Sequence, residues 1–116
     1  VPYIKVYDEK REIETDLHEW CAKPGFTLIV FGKFDEMFLF TIAKWITTKY
    51  PGFLNFFYLP PSGKNVEVFE AFEANPHKQM AIVVRPDMHI GYMNDIVDLG
   101  MLDNYLQNVV GVIPQQ

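Results

Sequence analysis

The segment AIVVRPDMHIGY, Ala81 to Tyr92, sets Arg85, Pro86 and Asp87 between two apolar runs. Two kinds of chemistry suit these residue types. A guanidinium presents a fork of N–H donors that binds an anion or a carboxylated substrate. Alternatively, Pro86 presets φ for a turn, Asp87 hydrogen-bonds the turn backbone, and Arg85 reaches a nearby carboxylate. Turn chemistry accounts for Pro86 and Asp87 without any ligand, so Arg85, Pro86 and Asp87 are read as a structural turn. An anion or substrate contact through Arg85 is the functional alternative.

The other reactive residue types form no pattern. Cys21 is the only cysteine, so an intrachain disulfide is excluded. A reducing, cytoplasmic compartment fits that usage. His18, His77 and His89 fall in separate elements without ligand-type spacing, so no metal site is assigned. Gly32-Lys33 and Gly63-Lys64 lack the rest of a GxxxxGK[ST] phosphate loop. Ser62, the only serine, has no nucleophile elbow around it. Asp8-Glu9 and Asp35-Glu36 read as solvated loop and cap positions. No catalytic, cofactor-binding or metal-binding residue is therefore assigned.

The totals bound the remaining choices. The 116 residues suffice for one domain with one modest core. A net charge of −5, with no stripe of Lys and Arg, argues against nucleic acid as a partner. No apolar run approaches the roughly 18 residues of a membrane span, so no membrane partner is expected. The start, VPYIKVYDEK, lacks the features of a signal peptide, and it lacks a Met. Aromatic residues reach 16%, more ring surface than a small core usually holds.

These residues need elements to position them. YIKVY alternates as a strand over 3–7. Asp16 followed by Glu19 suits a capping box, with Leu17, Trp20 and Cys21 on the inward face of a short helix. FTLIVFG is a continuous apolar run, the pattern of a strand buried on both faces. Asp35 then caps a helix whose inner face carries Phe38, Ile42, Trp45 and Ile46, with Lys49 near its end. FLNFFYL is a third strand. NVEVFEAFEANP reads as helix more than strand. QMAIVV and HIGYM flank the 85–88 turn as a hairpin. A last helix, capped by Asp98 and stopped by Gly111, carries Leu102, Tyr105, Leu106 and Val109 at helical spacing.

The order β-α-β-α-β-(α)-β-β-α is that of an α/β, thioredoxin-like domain: a central mixed β-sheet flanked by helices. The redox chemistry of that fold needs a thiolate at the start of the helix after the central strand. There the sequence reads GKFDEMF, which has no Cys, Ser or Thr, and Asp35 and Glu36 would raise a thiol pKa. Where a cis-proline would precede the fourth strand, Lys78 and Gln79 stand. The redox cysteines are absent, and Cys21 reads as a small core residue.

FTLIVFG, then VVRPDMHIGYM after a gap, then a terminal helix, resembles the C-terminal domain of class A flavin-dependent aromatic hydroxylases, the phenol 2-monooxygenase and pentachlorophenol monooxygenase group. The layout matches from PYIKVYD to LDNYLQNVVG; the specific part is PGFTLIVFG and VVRPD. Met88 stands where the family usually has the Gly that permits a tight left-handed turn after Asp, which is a departure from the family's pattern. Gly91-Tyr92-Met93 replaces the Ala-Trp-Arg of the next strand, and no GxGxxG fingerprint occurs. The resemblance implies that residues 1–116 are one thioredoxin-like domain, the C-terminal fragment of a longer flavoenzyme that uses FAD and NAD(P)H in aromatic hydrocarbon catabolism. It implies a non-catalytic assembly role, as a homodimer, beside the FAD-binding domain of the same parent chain. The alternative is a stand-alone thioredoxin-like binding protein with Cys21 as a one-thiol site. Rings of FLNFFYLPP and VEVFEAFE, Phe69 or Phe72 among them, are expected to face another subunit or the missing flavin domain.

Overall fold

A computed structural model of the chain describes residues 4–8, 11–22, 24–72, 74 and 78–114. His77 and the start of the first expected strand lie outside them. Strand β1 (Lys5–Asp8) pairs antiparallel with β2 (Ile13–Asp16), Val6 opposite Thr15. The sequence order above lacks β2. Its alternation is short and sits among charges, and only pairing with β1 makes it a strand. Helix α1 (Leu17–Cys21) follows at once, with Asp16 accepting a hydrogen bond from the Glu19 N–H at 2.8 Å. Only half of the capping box forms, because Glu19 directs its carboxylate to the Thr15 hydroxyl.

The main sheet holds β3 (Phe26–Phe31), β4 (Leu54–Leu59), β5 (Met80–Val84) and β6 (Ile90–Asn94), in the order β4-β3-β5-β6. β3 runs parallel to β4 and antiparallel to β5, which makes the sheet mixed. As FTLIVF predicts, β3 is central, and Leu28 to Phe31 are wholly buried. A strand points alternate side chains to opposite faces, so β3 and β5 feed two cores. Leu28, Val30, Ala81 and Val83 pack under α2 (Glu36–Lys49) and α4 (Leu99–Asn104). Ile29, Phe31, Ile82 and Val84 pack under α1, β1 and α3 (Val66–Ala71). This is a mixed α/β fold with helices on both faces of the sheet, and its single thiol provides no redox pair.

Local chemistry explains most boundaries. Asp35 and Asp98 cap α2 and α4 through N–H groups at 3.0 Å each. Gly32 ends β3 at φ +116, where an added Cβ would stand 2.2 Å from the Lys78 carbonyl oxygen. Only glycine fits there. α4 runs on into a π-helical turn, Tyr105–Val110, closed by Gly111 in the left-handed region.

Two expectations about side-chain direction are corrected. Val109 does not share the inward face of the last helix; it is 71% exposed, while Val110 is half-buried. The wider π turn shifts the inward stripe by about one residue. Phe69 and Phe72 do not face outward either. Both are buried with their rings 5.6 and 5.5 Å from that of Phe31.

Candidate functional site

The tip of the β5–β6 hairpin closes on itself. The Met88 N–H donates to the Arg85 carbonyl at 2.9 Å, and the Arg85 N–H donates to the His89 carbonyl at 2.8 Å. Met88 takes φ +70, so the left-handed position that glycine would favour is kept by a side-chain-bearing residue. The turn is thus kept despite the departure from the family's glycine. Asp87 holds the turn together. One carboxylate oxygen accepts from the His89 N–H at 3.1 Å; the other meets the Arg85 guanidinium at 2.5 Å and the His89 ring at 3.3 Å. The His89 amide, and then the charges of Arg85 and His89, hold the Asp87 carboxyl below its ordinary value. Arg85 is thus committed to a residue two positions away, and its stem runs over Gly91 toward Tyr105.

Cys21 lies in α1, packed in the core with Leu17 and Trp20. Burial pushes its thiol up to about 11, against smaller opposing effects that include a hydrogen bond with Thr27. At neutral pH only about one thiol in 10⁴ is then a thiolate, the nucleophilic form. Its surroundings are those of a packing residue.

A polar cluster that sequence patterning gave no sign of joins the end of α2 to α4. Asp103 accepts from the Tyr50 hydroxyl at 2.7 Å, the Lys49 ammonium at 3.1 Å and the Trp45 indole at 3.4 Å. Gln107 donates to the same Tyr50 hydroxyl at 3.2 Å. Burial first, then Asp103, pushes Tyr50 up to about 12. The cluster works as a staple between two helices.

A concave feature follows β4, an edge strand of the sheet. A cleft of about 780 Å³ runs between that edge and α2, floored by Leu39, Ala43, Phe56, Phe57 and Trp20. Phe57 stacks on Trp20 at 4.5 Å between ring centroids. Asp8, Glu19 and Glu36 stand on the rim with Arg11, which Asp8 holds at 2.8 Å. Phe40 lines the cleft and is also 70% exposed. No group of three His, Cys, Asp or Glu suited to a metal occurs among the described residues. The cleft is an apolar contact surface with an acidic rim, and it brings no nucleophile and base together.

A surface of this kind serves contact with another macromolecule better than chemistry. The family described as phenol hydroxylase, C-terminal dimerisation domain, matches residues 30–113. The chain belongs to that family. In this phenol hydroxylase dimerisation domain the matched span takes in α2, the main sheet from Val30 onward, the 85–89 turn and the Asp103 staple. The same comparisons found no match among curated proteins and none among solved structures. No helix among the described residues is long and apolar enough to cross a membrane. Sequence reasoning reached the 85–87 turn and the family, but not the exposed side of α2. FLF at 38–40 offers apolar residues to opposite sides of a helix, and only the inner side was assigned.

Proposed function

We propose that this chain is the C-terminal assembly domain of an FAD- and NAD(P)H-dependent monooxygenase of phenol-type rings. It joins two copies of that enzyme and takes no part in the reaction. Residues 1–116 are then one thioredoxin-like domain that follows the FAD-binding domain of the same parent chain, in the cytoplasm. The observation that carries this reading is the family match, whose description is a dimerisation domain and whose span covers most of the main sheet and the helices α2, α3 and α4.

The physical chemistry supports it. The flavin and nicotinamide belong to the rest of the parent enzyme, because the cleft does not suit a diphosphate. Its rim carries Asp8, Glu19 and Glu36, and the Arg11 charge is already met by Asp8. The one-thiol alternative lacks an accessible thiolate, as Cys21 is buried with a raised pKa. Arg85, Pro86 and Asp87 serve the turn rather than a ligand, since Arg85 and Asp87 satisfy each other within it.

The reading frame upstream of Val1 provides the direct test. An FAD-binding region, opened by a glycine-rich dinucleotide fingerprint, is expected in frame. A start codon of its own immediately before Val1, preceded by an in-frame stop, would remove the flavoenzyme from the proposal. Titration of the 116-residue chain with FAD is expected to leave the flavin spectrum and fluorescence unchanged.

A further inference from the structure

We propose that the outward face of α2 is the two-fold contact between two copies of this chain, with the two helices crossing antiparallel at Phe40. This deepens the assembly reading above and rests on it. The inner face of α2 buries Ile42 and Ile46 and half-buries Phe38 and Trp45. The opposite face should then be polar, as on an ordinary surface helix. Instead it presents Met37 and Phe40, 71% and 70% exposed, beside the small residue Ala43. Large apolar side chains held in water on one helix face mark a contact.

The occupant follows from symmetry. In an isologous contact residue i meets j, and j meets i. Glu36 and Lys44 each lie four residues from Phe40, in opposite directions, on this same outward face. Met37 and Ala43 each lie three residues away. An antiparallel crossing at Phe40 therefore sets each Glu36 against the Lys44 of the other copy. It also sets each Met37 over an Ala43, and Phe40 on its own equivalent. Every pairing is made twice, opposite charges meet, and large meets small. Leu39 and Phe56 in the adjoining cleft then cover the edges of the two Phe40 rings.

A second set of exposed apolar residues, Met93, Ile96, Met101 and Val109, fits a second copy poorly. Residues 90–114 contain no Lys or Arg, while Asp95 and Asp98 are exposed there. A two-fold axis through that surface would set like charges against each other.

Sedimentation equilibrium of the 116-residue chain, with circular dichroism of each variant as a check on folding, tests the assignment. Phe40→Asp is expected to weaken the dimer at least about a hundredfold, because a central aromatic anchor is lost twice. Lys44→Glu alone should weaken it about tenfold, and adding Glu36→Lys should restore the original constant, because the pair is remade in reverse. A wild-type dimer indifferent to Phe40→Asp, or one broken instead by Val109→Asp, would overturn the choice of face and leave the assembly reading standing. A wild-type chain that stays monomeric to about 100 µM would overturn both.

Discussion

Asp103→Ala removes the carboxylate on which three donors converge, two from α2 and one from Tyr50 at its C-cap, and its cost can be built from the geometry. The Tyr50 hydroxyl is buried and donates to Asp103 at 2.7 Å. A hydrogen bond to a charged group contributes about 1.5–3 kcal/mol. Gln107 already donates to that hydroxyl and would have to turn its amide over to replace the lost acceptor. The Lys49 ion pair, with the lysine side chain 41% exposed, adds less than about 1 kcal/mol. The indole of Trp45, at 3.4 Å, is near the limit of a hydrogen bond and adds little. The sum is about 3 kcal/mol, or roughly 10 °C in Tm for a domain of this size. Urea and thermal unfolding at fixed protein concentration measure it. Tyr50→Phe supplies the second edge of a double-mutant cycle and should show coupling of about 1 kcal/mol or more with Asp103→Ala. The pH dependence has a definite sign. Tyr50 is raised in the folded chain, so its contribution is full below the ordinary tyrosine value of 10.0 and is lost as pH climbs toward about 12. Tyr50→Phe should flatten that alkaline loss. A cost for Asp103→Ala under about 0.5 kcal/mol, or no coupling in the cycle, would refute the staple.

Three other outcomes are expected. Cys21 should resist thiol reagents in the folded chain and react at once in denaturant; labelling within seconds at neutral pH would contradict its burial. Asp87→Ala should lower Tm and speed amide exchange at His89, with the loss of the Asp87 contribution in the wild type setting in as pH falls below 3.8. An unchanged melt together with lost affinity for a small anion would reverse the roles assigned to this turn. Gly91→Ala should destabilise by about 1–3 kcal/mol, because its Cβ would stand 2.1 Å from the Tyr105 hydroxyl. A neutral result in chemical denaturation would mean that Tyr105 moves aside freely.

Features governed by neighbours in sequence were legible, and those governed by distant partners were not. Asp16, Asp35 and Asp98 cap helices through N–H groups two or three residues ahead, so residue type and spacing sufficed. The burial of β3 was written in its unbroken apolar run. β2 escaped notice because IETD becomes a strand only against β1. Val109 was turned the wrong way because a π turn leaves no mark on a 3.6-residue pattern. Phe69 and Phe72 look surplus until Phe31, about forty positions earlier, is known to lie beneath them. Asp103 and Tyr50 are 53 positions apart, and neither residue type announces the other. At the candidate site the turn could be read residue by residue. The outward face of α2 could not, because a run of three apolar residues does not say which of them stays in water.

The central place of β3 also governs how the chain must come off the ribosome. Its six residues, FTLIVF, have a parallel neighbour once Leu59 has emerged, but no second neighbour before Met80. For that interval a strongly apolar strand keeps one hydrogen-bonding edge open, with high β-propensity and no charge or proline inside it. A chain stopped between Leu59 and Met80 by nonsense mutation or proteolysis would keep that edge for good. Such a product would be cleared or would aggregate, rather than persist as a partly active domain.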